Sequence, residues 1–328
     1  MDFRKWGKRC ISCIPSKKLR QKLKDIFWLN HIPFNRYGLQ YFHSDEEGNE
    51  LIYNLLAQGK PCLITRFGMS EFGCVRYFLR NQHKVKIKFP QKTSRIMQHN
   101  AGFFSPTNEL LTKYSCEFLQ ILPDIDLLSP MNTTDYVESE VVQKLAPQAR
   151  LVTLDTLGYY IHFCKNPWTK ILKGKKVLII HPFAATIEKQ YSNRERLHKN
   201  PQLLPKFDLL TYKPIQGLGS SEETAQFNNW FEALNFMYKQ IDKIDFDVAL
   251  IGAGAYGMFL AHHIKQQGKQ AIHMGGNLQL LFGIKGSRWN NTDVAKECYN
   301  EHWVSPSKSE TPKNLSMFKK GEGDAAYW

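Results

Sequence analysis

The sequence has no long uncharged hydrophobic run. None of its apolar stretches approaches the roughly 18 residues that a membrane-spanning helix requires. Its first residues, MDFRKWGKRCISCIPSKK, also lack the apolar core of a signal peptide. We therefore expect a cytoplasmic chain. The 328 residues, 42% of them hydrophobic, suffice for one large domain or two closely packed domains.

Cysteine is scarce, and its seven residues are scattered along the chain, which argues against a disulfide framework and is typical of a reducing compartment. Cys10 and Cys13 have the spacing of a zinc-ligand pair, but no second Cys/His pair accompanies them, so we interpret them as ordinary thiols. The HExxH, GxSxG and P-loop motifs are absent as well, which excludes several classes of hydrolase and kinase.

Acidic residues are missing from the stretch between Gly252 and Thr292. It opens with Gly252-x-Gly254-x-x-Gly257 directly after the apolar run FDVALI, a setting typical of a dinucleotide-binding turn. Such glycines let backbone N–H groups approach phosphate oxygens. An NAD site also needs an Asp or Glu about 20 residues later to bind the ribose. We therefore expect no NAD cofactor.

The ionised side chains of this stretch are all cationic, namely Lys265, Lys269, Lys285 and Arg288. They favour an anionic ligand such as a diphosphate. NADP also fits, because basic side chains can accept its 2′-phosphate. A third interpretation gives the glycines a purely structural role in a tight turn.

The N-terminus is also poor in acids, since residues 1–30 hold nine lysines and arginines against two aspartates, half of the net charge of +14. Leu19, Leu23, Ile26 and Phe27 fall on one face of a helix. A basic amphipathic helix of this kind can lie in an anionic membrane surface or pack on the protein body. A basic arm can also bind nucleic acid, but no nucleic-acid-binding motif accompanies it, so we expect no such partner.

Strands and helices alternate along the rest of the chain. Strands are predicted at PCLITRFG, ARLVTL, GKKVLIIHPF, FDLLTYKPI, FDVALIGAG and QAIHMGG. Helices are predicted at EEGNELIYNLLAQGK, SEFGCVRYFLRNQ, NELLTKYSCEFLQILP, ATIEKQYSNRERLHKN, EETAQFNNWFEALNFMYKQIDKI, AYGMFLAHHIKQQGK and NLQLLFGIKG, while residues 84–106 are expected to be loop-rich. The alternation predicts an α/β, Rossmann-like fold with a mostly parallel sheet and helices on both faces.

Three parts of the chain are expected. A basic arm covers residues 1–40, an α/β domain covers 41–290 in halves of 41–173 and 174–290, and a tail covers 291–328. Trp303, Tyr327 and Trp328 favour a tail that is packed on the body.

Candidate site residues follow the predicted strands, and parallel sheets bind ligands at the carboxyl ends of their strands. Arg66 beside the Gly68 turn can bind phosphate, and Glu71 can bind a ribose hydroxyl or a metal. Glu71 could instead be an ordinary carboxylate in the first turn of a helix. Asp155 ends another predicted strand, where it could act as a general base or cap a helix.

Two further strand ends carry candidates. His181 is followed by a polar helix that carries Glu188 and Gln190. Its three cations, Lys189, Arg194 and Arg196, could neutralise a departing diphosphate or merely face solvent. His273 is followed by the glycines 275 and 276, which repeat the theme of a glycine turn after a strand.

Several of these stretches together resemble bacterial proteins that are encoded with capsule and lipopolysaccharide genes and are thought to be glycosyltransferases of the GT-D type. They are ITRFGMSEF, NAGFF, GKKVLIIHPFAATIEKQYSNR, DVALIGAGAYGMFLA and GKQAIHMGGNLQLLFGIKGSRW, within residues 50–290. The resemblance implies a Rossmann-like GT-D fold, a UDP-sugar donor, and a lipid-linked glycan acceptor at the inner face of the bacterial inner membrane.

The family carries an Asp-x-Glu element that serves the nucleotide and its metal. It aligns with Met69-Ser70-Glu71, so the glutamate is present and the aspartate is replaced by methionine. Mn²⁺ and Mg²⁺ prefer oxygen ligands to a thioether, which puts a metal bound at Glu71 in doubt.

On this interpretation the catalytic residues are Glu71, Asp155 and Glu188. The predicted nucleotide-sugar site comprises Arg66, Gly68, His181, Gln190, Arg194, Gly252, Gly254, Tyr256, Gly257, His273, Gly275, Gly276, Lys285 and Arg288. Two other functions fit the sequence. One is an NADP-linked oxidoreductase or epimerase of nucleotide sugars, although no Tyr-x-x-x-Lys pair stands out; the other is a non-catalytic scaffold at the membrane.

Overall fold

A computed structural model describes residues 42–131, 136–215, 223–311 and 327–328. The basic arm predicted over residues 1–40 lies outside the described residues. No helix in the described ranges is both long enough and apolar enough to cross a membrane.

One sheet of eight parallel strands runs through the described part of the chain, in the spatial order β1-β4-β3-β2-β8-β7-β5-β6. The strands are β1 (Phe42–His43), β2 (Cys62–Arg66), β3 (Leu127–Ser129), β4 (Arg150–Val152), β5 (Lys176–Ile180), β6 (Asp208–Tyr212), β7 (Val248–Ile251) and β8 (Gln270–His273). The predicted parallel sheet is confirmed, and the two predicted halves of the chain share it because β2 pairs with β8.

Helices connect and cover these strands. They are α1 (Asp45–Ala57), α2 (Met69–Asn81), α3 (Gln91–Ala101), α4 (Asn108–Ile121), α5 (Tyr136–Leu145), α6 (Ala184–Tyr191), α7 (Arg194–Leu197), α8 (Trp230–Ile241), α9 (Gly257–Gln266), α10 (Leu278–Leu281) and α11 (Asp293–Cys298). Short 3-10 turns lie at Leu122–Asp124, Tyr160–His162, Trp168–Leu172, Gly254–Tyr256, Gly275–Asn277, Ser287–Trp289 and Lys308–Glu310.

The sheet is buried on both faces, as its apolar strands predict. Successive side chains of a strand point to opposite faces. Leu63 of β2 accordingly packs in one core, with residues of α2, α4, α8 and α9. Its neighbour Ile64 packs in the other core, with residues of α1, α6 and α10. Strands buried on both sides read as near-continuous apolar runs, and the prediction of helices on both faces is confirmed.

Capping residues set the starts of several helices. Ser44 and Glu47 form a reciprocal capping box at the start of α1. The Asn229 side chain accepts hydrogen bonds from the backbone N–H groups of Phe231 and Glu232, which starts α8 at Trp230. The helix predicted over residues 222–244 is therefore shorter at its N-terminal end.

Other differences from the sequence prediction involve weakly apolar or very short segments. Residues 84–106 were expected to be loop-rich, but they contain α3, which follows Pro90 and ends at Gly102 in the left-handed conformation. Its polar sequence buries only Met97 and Ala101, too little for a clear helical pattern. The two- and three-residue strands β1 and β3 lack the length that a pattern requires. The helix predicted after His181 divides into α6 and α7.

Candidate functional site

A cavity of about 300 Å³ lies at the carboxyl edge of the sheet. Six adjacent strands, β3, β2, β8, β7, β5 and β6, lead into it, and ligands of open α/β sheets bind at this edge. Its lining comprises Arg66, Gly68, Met69, Ser70, Glu71, Asn100, Ala101, Gly102, Met131, His181, Pro182, Phe183, Pro214, Ile215, Gly252, Ala253, Gly254, Tyr256, His273, Gly275, Gly276, Arg288, Tyr327 and Trp328.

Most of the predicted site residues meet at this cavity. They are Arg66, Gly68, Glu71, His181, Gly252, Gly254, Tyr256, His273, Gly275, Gly276 and Arg288. Gly257 is not part of the lining, but it lies against the ring of His273, where any side chain would collide with the imidazole. Strand ends that are distant in sequence are thus brought together by the parallel sheet.

The structure places the other predicted residues away from the cavity lining. Asp155 follows β4, which lies two strands from β2 near the β1 edge of the sheet, and its side chain is exposed. Glu188 accepts a hydrogen bond from the Thr211 hydroxyl on β6. Neither carboxylate lines the cavity in which the sequence suggested a general base.

Three predicted ligand-binding side chains have partners elsewhere. The Gln190 amide donates to backbone carbonyls of Phe282, Gly283 and His302, so it is part of the packing. Arg194 pairs with Glu195 at 2.6 Å. The Lys285 ammonium lies over the ring of Tyr299, 5.6 Å from its centroid. Gln190 lies on α6, Arg194 on α7 and Lys285 beyond α10, so sequence spacing alone did not reveal that they contact other parts of the protein.

Glu71 lies in the first turn of α2, directly above its N-cap residue Gly68. A side chain at position 68 would collide with the Glu71 carboxylate, so glycine makes room for it. Burial raises the pKa of Glu71, while its own backbone N–H and Arg66 oppose the increase. Glu71 is thus a stronger base than a free glutamate and lies where a helix N-terminus favours negative charge.

Two arginines share this cavity. Arg66 donates to the backbone carbonyl of Phe67 and to the Met131 sulfur, and Arg288 donates to the Tyr327 hydroxyl at 3.1 Å. Within the described ranges, neither arginine makes an ion pair with a carboxylate closer than 4 Å. Burial lowers the pKa of Arg66, and repulsion from Arg288 lowers it further, whereas Tyr327 and Glu71 raise it. Among the described lining side chains, two arginines therefore accompany one carboxylate.

Other cations of the acid-free stretch are engaged outside the cavity. Lys265 forms an ion pair with Asp126 at 2.7 Å. Lys269 lies over the ring of Phe246, 3.9 Å from its centroid. Of the four cations predicted to favour an anion, only Arg288 lines the cavity.

Two histidines in the lining are buried and neutral. Burial lowers the pKa of His181 to about 3, and burial together with Arg66 lowers that of His273 to about 3. The Phe183 N–H donates to Nδ1 of His181 at 3.0 Å. In the neutral ring this leaves the proton on Nε2, so His181 can donate one hydrogen bond without carrying charge.

Glycines let the strand-end turns approach one another closely. Gly254 and Gly275 have positive φ angles of 52° and 64°, which favour glycine. A Cβ atom on Gly252 would lie 2.7 Å from the carbonyl oxygen of Gly275, and one on Gly275 would lie 2.9 Å from Nη1 of Arg66. The fingerprint glycines therefore serve contacts within the protein, whatever ligand the turn binds. Residue 273, at the end of β8, is a histidine where an NAD site would use a carboxylate.

The side chains in the lining do not fit a divalent cation. Glu71 is the one carboxylate side chain in the described lining, and Met69, where the sequence resemblance leads one to expect an aspartate, is 71% exposed. In the ranges that the structure covers, no cluster of three or more His, Cys, Asp or Glu side chains could hold a metal ion. Mg²⁺ and Mn²⁺ prefer several oxygen ligands, so these residues offer no adequate donor set.

Sequence reasoning missed one side of the cavity. Phe183, Pro214 and Ile215 line the β5–β6 end, together with Tyr327 and Trp328 from far along the chain. The aromatic tail residues signalled packing on the body, but nothing in their spacing pointed to this site.

Comparison with protein-family models gives no match, and comparison with curated proteins gives none. Two solved structures are similar. One is a selenomethionine-substituted structure of domain of unknown function 1792, with 13% identity and a TM-score of 0.32, covering 80% of this chain and 96% of that one. The other is domain of unknown function 1792 described with a distinct glycosyltransferase fold, with 12% identity and a TM-score of 0.33, covering 81% and 96%. These scores are too low to carry an argument.

The buried histidines predict that acid destabilises the protein. Because the pKa of His181 is about 3 in the folded state and 6.5 when unfolded, the unfolded state binds more protons between these values. The free energy of unfolding should therefore fall with decreasing pH below 6.5, by about 1.4 kcal/mol per pH unit for each such histidine. Urea unfolding from pH 7 to pH 5 measures this slope.

His181→Gln should reduce the slope by the contribution of one histidine. His83→Gln, which changes an exposed histidine outside the cavity, should leave it unchanged. A slope that is the same in His181→Gln as in the unsubstituted protein would contradict the neutral, buried state of His181.

Proposed function

We propose that this protein is a glycosyltransferase that moves a sugar from a UDP-sugar donor to a hydroxyl group of a bacterial surface-glycan precursor. The observation that carries the proposal is the excess of positive over negative side chains in a cavity lined by Arg66, Arg288 and strand-end glycine turns. The donor and its acceptor class come from the sequence resemblance, and the cavity supplies the chemistry that such a donor needs.

A diphosphate matches the electrostatics of the cavity. Arg66 and Arg288 repel each other, and a bound anion between them relieves that repulsion. The N-terminus of α2 lies at the same place, since Gly68, Met69 and Ser70 line the cavity. Helix N-termini and arginine forks both favour phosphate groups.

The lining also changes in character along the sheet edge. Charged residues, Arg66 and Glu71, come from β2 and its helix, and glycine turns follow β8 and β7. Aromatic and apolar residues, including Phe183 and Ile215, follow β5 and β6. Four strand spacings of about 4.8 Å separate β2 from β6, or roughly 19 Å. This spatial order of charged, glycine-rich and apolar surfaces suits an extended ligand with an anionic middle and an apolar end.

Transfer would proceed by attack of an acceptor hydroxyl on the anomeric carbon, with cleavage of the bond between that carbon and the diphosphate oxygen. The electron pair of the broken bond leaves with the diphosphate. Arg66, Arg288 and the Nε2–H of His181 can stabilise the developing charge. Glu71, with its raised pKa, is positioned to accept the proton of the acceptor hydroxyl.

We also propose that the protein works at an anionic membrane surface. Besides the basic arm of residues 1–30, residues 72–108 hold seven lysines and arginines and no acidic residue. The loop between α2 and α3 exposes Lys84, Lys86 and Lys88, with Val85 fully exposed among them. Exposed lysines around an apolar side chain fit the charge and the interfacial layer of a membrane.

Nucleotide binding tests the proposed activity. UDP or a UDP-sugar at 100 times its dissociation constant should stabilise the protein by about 2.7 kcal/mol in thermal unfolding, whereas NAD should not. Arg288→Ala should weaken UDP binding by roughly tenfold or more, because a hydrogen bond to a charged group contributes about 1.5–3 kcal/mol. Arg194→Ala removes an arginine outside the cavity and should leave binding unchanged.

Three outcomes separate the candidate functions. Stabilisation by UDP that Arg288→Ala reduces supports the glycosyltransferase. Stabilisation by NADP alone would replace it with the oxidoreductase or epimerase. Binding of no nucleotide, with cavity variants that retain biological function, would favour the scaffold.

Sedimentation with lipid vesicles tests the membrane proposal. The full chain should bind vesicles that contain phosphatidylglycerol and not pure phosphatidylcholine. Replacement of Lys84, Lys86 and Lys88 by glutamine should weaken binding by tenfold or more, since each lysine near the surface contributes about 1 kcal/mol. Replacement of exposed lysines 173, 239 and 243 makes the same change of net charge elsewhere. Equal loss in both triple variants would contradict docking through this loop.

A further inference from the structure

We propose that Trp328 and Tyr327 form a base-binding wall of the cavity, in which the Trp328 indole contacts the planar base of the bound nucleotide. The inference rests on the proposed function, since it assigns one end of the donor to one end of the site. It also assigns a role to two residues that lie far in sequence from every motif of the resemblance.

Trp328 is held in the cavity wall by contacts on several sides. Its ring packs edge-on against Phe183, with centroids 5.3 Å apart. Its indole N–H donates to the Glu310 carbonyl at 3.2 Å, and its backbone carboxyl oxygen accepts from the Ser287 N–H at 3.2 Å. The side chain stays partly exposed and lines the cavity. An aromatic ring with a fixed orientation and a free surface is what a flat ligand needs for stacking.

Tyr327 is fixed beside it. Its ring lies against Gly276, where a Cβ atom would collide with it, so the glycine turn after β8 makes room for this side chain. The Tyr327 carbonyl accepts from the Gln279 amide at 3.2 Å, and its hydroxyl accepts from Arg288 at 3.1 Å. Packing of Tyr327 therefore requires glycine at position 276, whether or not this turn binds phosphate.

The location of the wall determines which part of the donor it meets. The end of the cavity around Phe183, Pro214 and Ile215 has no ionised side chain in the described lining, whereas Arg66 and Glu71 belong to β2 and α2. Tyr327 lies between these regions, since it interacts with both Arg66 and Arg288. A diphosphate belongs near the arginines, so the uncharged planar part of the ligand belongs at the aromatic end. Arg288 contacts Tyr327 and faces the same cavity, which joins the wall to the anionic part of the site.

The wall and the charged region can be tested separately with two probes, UDP and inorganic pyrophosphate, by titration calorimetry. Trp328→Ala should weaken UDP binding about tenfold or more, in line with the contribution of aromatic stacking to base binding. It should leave pyrophosphate binding within twofold, because pyrophosphate has no base. Trp328→Phe keeps an aromatic surface and should recover much of the UDP affinity. Phe163→Ala, which removes an exposed aromatic outside the cavity, should change neither affinity.

The outcomes distinguish this inference from the proposed function. If UDP binds equally well to Trp328→Ala and to the unsubstituted protein, the base-binding wall is wrong and the glycosyltransferase stands. If Trp328→Ala weakens UDP and pyrophosphate by the same factor, Trp328 only shapes the cavity, and the inference is again overturned. If the unsubstituted protein binds neither probe, the proposed function fails, and the wall fails with it.

Discussion

The excess of positive over negative side chains in the cavity is the constraint around which this site is organised. Arg66 and Arg288 repel each other, and Glu71 is the one carboxylate side chain among the described lining residues. Arg288 is exposed, whereas Arg66 is partly withdrawn from water, and such a charge is costly unless it is paired or hydrogen-bonded. Contacts with Phe67, Met131 and Tyr327 meet part of the hydrogen-bonding capacity of the two guanidinium groups, and Gly275 leaves room for Arg66. In the proposed function, a bound diphosphate would complete this balance and so connect the electrostatics of the cavity to group transfer.

The parallel sheet makes this concentration of charge possible. Six adjacent strands end at one edge, so residues more than 200 positions apart, such as Arg66 and Arg288, meet without any long-range sequence signal. Burial of the sheet on both faces fixes the strands in register, and glycines at the turns bring the backbone of β7 and β8 close to the side chains of β2 and β5. The same close packing keeps His181 neutral, so it can donate a hydrogen bond without adding to the charge.

Much of the fold and part of the site followed from the sequence, because both depend on local pattern. The apolar runs of β2, β5, β7 and β8 located these strands, and the residues after each run were found at the cavity. Residues on helices were harder to place: Gln190 and Arg194 share a charged segment with His181, but α6 and α7 direct them to other partners. Asp155 was misplaced because the order of strands, which puts β4 near the far edge, has no local signature. Tyr327 reaches the cavity through packing on Gly276, which no spacing in the sequence reveals.

Met69, where the sequence resemblance leads one to expect an aspartate, is consistent with the proposal that arginines, rather than a metal, neutralise a bound diphosphate. Met69 is exposed, so its substitution leaves the core unchanged. The most direct test is the affinity for UDP measured in Mn²⁺ and in EDTA, for the unsubstituted protein, for Met69→Asp and for the control Met69→Leu. We expect equal affinities in Mn²⁺ and EDTA for the unsubstituted protein and Met69→Leu, and tighter binding in Mn²⁺ for Met69→Asp, which restores two carboxylates. Loss of UDP binding by the unsubstituted protein in EDTA would contradict the account.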